Sequence, residues 1–143
     1  MNLTNEFNNH WIAGFSDADS SFQIKVVNRV NRSKPEIRLN YQIDHKNKDI
    51  LLLIKEFFGG NLGYRKNQDT YYYGSTSFGS ARRVIKYFDE YHLQSNKHIN
   101  FLKWRKAYLL IQNKEHLNDQ GIKKIIELIK YNGGIKIQFK IKS

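Results

Sequence analysis

Apolar residues recur at helical spacing in some segments of this chain and alternate with polar residues in others. The helical spacing predicts helices over residues 5–19, 47–58, 80–91, 97–113 and 118–131. The alternation predicts strands over 21–31 and 36–45, and a hairpin formed by 61–66 and 70–77. The resulting order, α-β-β-α-β-β-α-α-α, indicates an α+β fold in which helices cover one face of an antiparallel sheet.

The other face of the predicted sheet is rich in Arg, Lys, Gln and Asn. A solvated polar face is ordinary for an antiparallel sheet, but these side chains are also the ones that hydrogen-bond to base edges in a major groove. The content of the face therefore favours nucleic acid over a plain solvated surface. The predicted nucleic-acid-binding residues are Gln23, Lys25, Arg29, Arg38, Asn40, Gln42, Arg65, Lys66, Asn67, Tyr71, Tyr73 and Ser75.

The composition agrees with a nucleic-acid partner. The chain carries 24 Lys and Arg against 13 Asp and Glu, a formal net charge of +11, which points to a polyanion, although a merely soluble basic protein is an alternative. The absence of cysteine excludes disulfides and thiol chemistry. No apolar run is long enough to predict a membrane span. Richness in Asn, Lys, Ile and Tyr is typical of AT-rich genomes and suggests a mitochondrion or another organelle.

Residues 12–20 contain a candidate site, with the sequence Ile-Ala-Gly-Phe-Ser-Asp-Ala-Asp-Ser. Gly14 and Ala18 are four residues apart and share a helix face. Small residues at this spacing let two helices approach closely, although close packing within one chain is an alternative. Asp17 and Asp19 follow at the predicted helix end. If two such helices packed together, their carboxylates would meet and would need cations between them.

This segment resembles the motif of the LAGLIDADG homing endonucleases, and the similarity extends over about residues 10–113. The resemblance implies the α-β-β-α-β-β-α homing-endonuclease fold, whose sheet forms a DNA-binding saddle. We expect one domain over residues 1–131 and a basic tail over 132–143. Within that tail, residues 135–142 alternate Ile or Phe with Lys or Gln, a pattern compatible with an edge strand, a disordered arm or a cloning remnant.

The resemblance also implies an activity: site-specific hydrolysis of double-stranded DNA with Mg²⁺, or Mn²⁺ or Ca²⁺ in its place, at the centre of a dimer. Asp19 would bind the metal ion. Lys97 matches a basic position near the scissile phosphate and His45 a polar position near the reactive water, although both residues could simply be solvated. Because one motif is present, the resemblance implies a homodimer on a long near-palindromic site. The predicted interface residues are Ala13, Gly14, Asp17 and Ala18.

Ser20 departs from the family pattern, which usually has glycine at this position. We expect the chain to leave the helix with a positive φ there, at a cost of about 1 kcal/mol for serine. The departure makes a non-cleaving DNA-binding protein conceivable. The sequence is also compatible with a maturase that splices intron RNA, with half of a larger protein, and with a dimeric structural domain that binds no nucleic acid.

Overall fold

The structure, a computed structural model, describes residues 10–130 and the backbone of residues 139–142. The helices are α1 (Trp11–Asp19), α2 (Lys48–Phe58), α3 (Phe78–Glu90), α4 (Lys97–Gln112) and α5 (Asp119–Lys130), with a short 3-10 helix at Glu115–Leu117. The strands are β1 (Ser20–Arg29), β2 (Glu36–His45), β3 (Asn61–Arg65), β4 (Thr70–Ser75) and β5 (Phe139–Lys142). Apart from the 3-10 helix, the described elements from Trp11 to Lys130 follow the predicted order. Residues 5–9 of the predicted first helix lie outside the described part of the chain.

The strands form one sheet in the order β3-β4-β2-β1-β5. Strands β1 to β4 are antiparallel, as predicted, whereas β5 runs parallel to β1 and pairs Phe139 with Val26. The alternating tail therefore supplies an edge strand over 139–142, one of the three interpretations of its pattern. None of the described helices is long and apolar enough to cross a membrane.

The helices pack on one face of the sheet around aromatic side chains. The ring of Phe22 lies 5.7 Å from that of Phe88, 5.6 Å from that of Phe101 and 5.4 Å from that of Trp104. All four side chains are fully buried, and burial of each contributes about 1.5–3 kcal/mol. This core fixes β1 against α3 and α4. It thereby decides which face of the sheet remains open.

Local capping fixes the connection from β2 through α2 to β3. The Asn47 side chain accepts hydrogen bonds from the backbone N–H groups of Asp49 (2.9 Å) and Ile50 (3.4 Å) at the start of α2. Gly59 ends the helix with φ +76°, a conformation that favours glycine. The backbone of Gly60 then passes so close to β4 that a Cβ would lie 2.5 Å from the carbonyl oxygen of Gly74. The β3-β4 hairpin is thus held beside β2.

The register of β4 corrects one part of the predicted nucleic-acid surface. Ser75 pairs with Tyr41 and Tyr73 pairs with Ile43, so both residues lie on the helix-covered face and are fully buried. Tyr71, two residues earlier in the strand, points to the same face. The prediction that Tyr71, Tyr73 and Ser75 belong to the open face is therefore wrong. The open face of β4 carries Tyr72 instead, because Tyr72 pairs with Asp44.

Candidate active site and nucleic-acid interface

Helix α1 ends at Asp19 and runs directly into β1. Ser20 has φ −100° and ψ 165°, which is extended backbone. Its backbone N–H and its hydroxyl both donate to the Ser16 carbonyl oxygen, the hydroxyl at 2.7 Å. The expected positive φ and its cost are therefore wrong, because the chain enters a strand rather than a left-handed turn. Serine at this position caps the helix and leaves the Asp19 side chain exposed at its end.

Lys97, at the start of α4, lies at the same helix end. Its ammonium group donates to the Ser16 carbonyl oxygen at 3.3 Å. Partial burial lowers the pKa of the Lys97 ammonium below its ordinary value, and the nearby charges of Asp19 and Asp17 oppose that shift. The structure thus brings Lys97 and Asp19 together, although 78 positions separate them in the sequence.

Asp17 is engaged within its own chain. Its carboxylate accepts the backbone N–H of Gln94 at 3.0 Å, and the backbone N–H and hydroxyl of Ser95 at 3.0 and 2.7 Å. Partial burial acts to raise the pKa of the Asp17 carboxyl, but the hydrogen bonds from Ser95 and Gln94 outweigh it, so the pKa lies below its ordinary value. Asp17 therefore joins α1 to the segment that leads into α4, and its place at an interface stays a prediction.

The face of α1 that carries Gly14 and Ala18 is exposed, in agreement with the predicted spacing. A Cβ added at Gly14 would meet no atom within 4 Å. Ala13, by contrast, is 3% exposed and lies in the core, where its backbone N–H donates to the Tyr87 hydroxyl at 3.0 Å. The prediction that Ala13 lies at an interface is wrong, because its side chain is already buried within one chain.

His45 lies at the end of β2 alongside α1. Its ring is 5.3 Å from that of Phe15, and its Nδ1 accepts the backbone N–H of Asn47 at 2.9 Å. Ser20, the first residue of β1, pairs with Ile43. The last two residues of β2, Asp44 and His45, therefore extend beyond the start of β1, on the side where α1 lies. His45 is therefore held on the same side of the molecule as the motif helix.

The described residues do not group enough ligands to hold a metal ion by themselves. Within residues 10–130 and 139–142, no three His, Cys, Asp or Glu side chains are grouped to hold a metal ion. Hard divalent cations take oxygen ligands and are commonly held by more than one carboxylate. The exposed Asp19 carboxylate can supply one oxygen ligand to such an ion, so the remaining ligands would have to come from elsewhere.

Three amide side chains form a hydrogen-bonded row across the open face of β1 and β2. Asn40 donates to Gln23 at 3.0 Å and to Gln42 at 3.1 Å, and Gln23 lies 3.5 Å from Gln42. Gln23 and Asn40 are each 6% exposed, so the structure places them beneath the surface, where they orient Gln42. Gln42 itself is only partly buried. All three amide residues belong to the predicted nucleic-acid-binding set, and Gln42 is the one among them whose side chain is accessible to a ligand.

The charged residues predicted for this surface occupy several settings. Arg38 is exposed and pairs with Glu36 at 3.0 Å, whereas Lys25, on β1, is half-buried. Gly63 pairs with Tyr72 of the open face. Arg65, two residues further along β3, lies on the same face. Two further predicted residues, Lys66 and Asn67, lie in the exposed β3-β4 turn. The side chain of Arg29 lies outside the described part of the structure.

Tyr72 is a surface residue that the sequence pattern did not predict. The Arg65 guanidinium lies over its ring at 4.4 Å, and the ring covers Gly63 so closely that a Cβ there would be 2.2 Å away. Three consecutive tyrosines at 71–73 conceal the strand parity. The signal that could have revealed which tyrosine faces outward is Gly63 on the neighbouring strand, because a glycine within a strand often marks the close approach of another group.

Comparison with known proteins supports the same family as the motif. The family model described as LAGLIDADG endonuclease matches residues 12–108. The chain belongs to this family. An uncharacterised protein of cox1 intron 2 from Schizosaccharomyces pombe is 64% identical over 125 residues, covering 87% of this chain and 38% of the relative. An intron-encoded DNA endonuclease of Saccharomyces cerevisiae is 33% identical over 136 residues, covering 73% of this chain and 32% of the relative.

Solved structures of homing endonucleases share the fold of this LAGLIDADG chain. I-TnaI superposes with a TM-score of 0.77 at 25% identity, covering 86% of this chain and 87% of that one. I-SmaMI bound to cleaved DNA gives a TM-score of 0.81 at 26% identity, covering 87% of this chain and 44% of that one. Another I-SmaMI structure was solved with uncleaved DNA in the presence of calcium ions. The chain thus spans less than half of I-SmaMI and about a third of the two intron relatives.

Proposed function

We propose that this chain forms half of a site-specific endonuclease that hydrolyses phosphodiester bonds of double-stranded DNA with Mg²⁺ or another divalent cation. One observation carries the proposal. The exposed Asp19 carboxylate lies at the end of α1, where that helix runs into a polar, open sheet face, and the partly buried Lys97 ammonium donates to the Ser16 carbonyl oxygen at the same helix end. The DNA-bound structures of family members support duplex DNA as the substrate.

The second half of the site comes from another motif helix packed on α1. The exposed Gly14 and Ala18 allow close approach, and that approach brings two copies of Asp19 together. A second copy of this chain would serve as the partner and would favour a near-palindromic target. Such a pair has a formal charge of 11 + 11 = +22, which favours binding to the DNA backbone.

Each side chain at the junction has a distinct role in this proposal. Asp19 would hold the cation together with the partner helix end. A divalent cation, when bound, supplies Lewis-acid stabilisation and lowers the pKa of bound water. Lys97 places a positive charge against the scissile phosphate, and His45 orients water on the β2 side of the site. Gln42, Arg65 and neighbouring residues of the open face bind the duplex.

The proposed place of action is the mitochondrion. The richness in Asn, Lys, Ile and Tyr and the similarity to a protein of a cox1 intron support it.

The decisive experiment replaces Asp19 with asparagine, which keeps the size of the side chain and removes its charge. Selection of cleaved duplexes from a random library first supplies a substrate for the wild type. Asp19→Asn should then abolish cation-dependent cleavage and keep or tighten DNA binding, because a negative charge near phosphates is lost. Glu56→Gln, which removes one charge from the exposed surface of α2, is the control and should cleave normally.

Three outcomes would contradict the proposal. Cleavage at the wild-type rate by Asp19→Asn would refute the assigned metal ligand. A wild type that binds duplex DNA selectively and never cuts it would support the non-cleaving alternative. A wild type that binds intron RNA and no duplex would support a maturase.

A further inference from the structure

Asp44 is a carboxylate on the face that the proposed function assigns to DNA. It lies on β2, two residues beyond Gln42, and its side chain is 47% exposed. The Gln42 amide nitrogen donates to Asp44 Oδ1 at 3.0 Å, and an Arg65 guanidinium nitrogen lies 3.7 Å from the same oxygen. A single carboxylate oxygen therefore joins two side chains that come from different strands.

This contact fixes which atoms Gln42 presents. Its amide oxygen accepts from Asn40 at 3.1 Å, and its amide nitrogen donates to Asp44. An isolated glutamine amide could turn over and exchange donor for acceptor. Asp44 opposes that exchange, because an ionised carboxylate can only accept, and in the resulting orientation the Gln42 amide oxygen faces the Asn40 amide nitrogen. Gln42 is thereby held in one orientation.

Arg65 is held from two directions. The Tyr72 ring lies under its guanidinium at 4.4 Å, and Asp44 Oδ1 lies 3.7 Å from one of its nitrogens. The Tyr72 ring can occupy that place because Gly63 has no side chain. Ordering an arginine side chain on binding costs conformational entropy, and a side chain that is already oriented loses less of this entropy.

An acid at this position has a cost in DNA binding. A carboxylate near phosphates is repelled, and this repulsion increases as a bound duplex excludes water from the face. The exposed Asp44–Arg65 pair also contributes little to folding stability. Asp44 therefore serves neither general affinity nor stability, whereas its contacts do orient two side chains that can form hydrogen bonds with bases.

We propose that Asp44 is a positioning residue for sequence discrimination: it orients Gln42 and Arg65 so that each favours one base pair of the target. This inference rests on the proposed function and deepens it. Arginine in one orientation favours guanine, and an oriented amide distinguishes adenine from other bases. Removing Asp44 should therefore weaken discrimination without weakening binding.

The test measures base preference, affinity and stability together. The wild type is used to select bound sequences from a randomised duplex library, and the Gln42→Ala and Arg65→Ala profiles identify the base pairs that each residue reads. Asp44→Asn and Asp44→Ala should reduce discrimination at both base pairs by about 5- to 20-fold. Affinity for unselected duplex DNA should stay equal or increase, and the thermal midpoint should not change.

A double-mutant cycle shows whether Asp44 acts through its neighbours. In the Arg65→Ala background, Asp44→Asn should cause no further loss of discrimination at the base pair that Arg65 reads. In the Gln42→Ala background, Asp44→Asn should likewise cause no further loss at the base pair that Gln42 reads. Glu56→Gln removes the same charge from the outer surface of α2 and should leave the whole profile unchanged. A merely structural role would instead lower the thermal midpoint and affinity together.

Several outcomes would overturn the inference. Unchanged preference in Asp44→Asn, with a selective wild type, would refute it and leave the proposed function intact. A loss that is confined to one base pair and persists in both alanine backgrounds would show that Asp44 itself contacts a base. A wild type without preference for any duplex would overturn the inference and the proposed function together.

Discussion

The carboxylate of Asp17 accepts hydrogen bonds from both the backbone N–H and the hydroxyl of Ser95. This contact joins the last turn of the motif helix to the segment that opens α4. Because Lys97 is only two residues beyond Ser95, and its backbone N–H donates to the Ser95 hydroxyl at 3.2 Å, the same contact fixes Lys97 relative to Asp19. The first acid of the motif thus organises the site from within one chain.

Replacing Asp17 should therefore cost stability. Asp17→Ala removes hydrogen bonds to a charged group and should lower the free energy of unfolding by about 1.5–3 kcal/mol. Asp17→Asn retains an acceptor oxygen, so its free energy of unfolding should fall by less. Denaturant unfolding at neutral pH gives both values, and Glu56→Gln is the control for simple charge removal. Equal stability of Asp17→Ala and the wild type would show that these hydrogen bonds contribute nothing.

Ser20→Gly should destabilise the protein, although glycine is the usual family residue. The backbone of Ser20 is extended, so glycine offers no conformational advantage and adds about 0.5–1 kcal/mol of entropic cost. The hydroxyl bond to Ser16 is lost as well, at about 0.5–1.5 kcal/mol. Comparison with Ser20→Ala in thermal unfolding separates the two contributions. A Ser20→Gly variant more stable than the wild type would contradict the extended conformation.

Gly14→Leu should prevent association while leaving the single chain folded. A Cβ at Gly14 meets no atom within 4 Å in one chain, so only a partner helix would be displaced. Light scattering at micromolar concentration should show a monomer for this variant and a dimer for the wild type, with the helical content unchanged. Gly79→Leu is the matched control, because Gly79 lies in α3 with equally open surroundings. If both leucine variants remain dimeric, α1 is not the interface.

Tyr73 should make the protein sensitive to alkali. Burial raises the pKa of its hydroxyl from 10.0 to about 12, so between these values the unfolded chain loses a proton that the folded chain keeps. Stability contributed by the neutral hydroxyl is therefore present below pH 10 and declines as the pH rises towards about 12. Unfolding measured across this interval should show a steeper loss for the wild type than for Tyr73→Phe.

At neutral pH the Tyr73→Phe variant should be the less stable of the two, because the hydroxyl donates to the Gly59 carbonyl oxygen at 2.6 Å. The stabilities should then converge as the pH rises. Parallel curves for the two proteins would show that Tyr73 does not carry this alkaline sensitivity.

Local patterns in the sequence determined the element order, the antiparallel pairs and the polar face of β2. Helical and strand periodicities act over a few residues, and the contrast between Ile43 and Gln42 in adjacent positions settles which face of that strand is buried. The motif also identified the family and the exposed small-residue face at Gly14 and Ala18. These features depend on residues that are close together in the chain, so they can be predicted from a single sequence.

Tertiary structure decided the features that depend on distant partners. Three successive tyrosines give no alternation, so only the register of β4 with β2 decides which of them face the core; this register buries Tyr73 and places Tyr72 on the open face. The role of Asp17 depends on backbone donors far along the chain, and the conformation of Ser20 depends on α1 entering a strand directly. Hydrogen-bond partners and strand register are non-local, and they become visible only when the chain is folded.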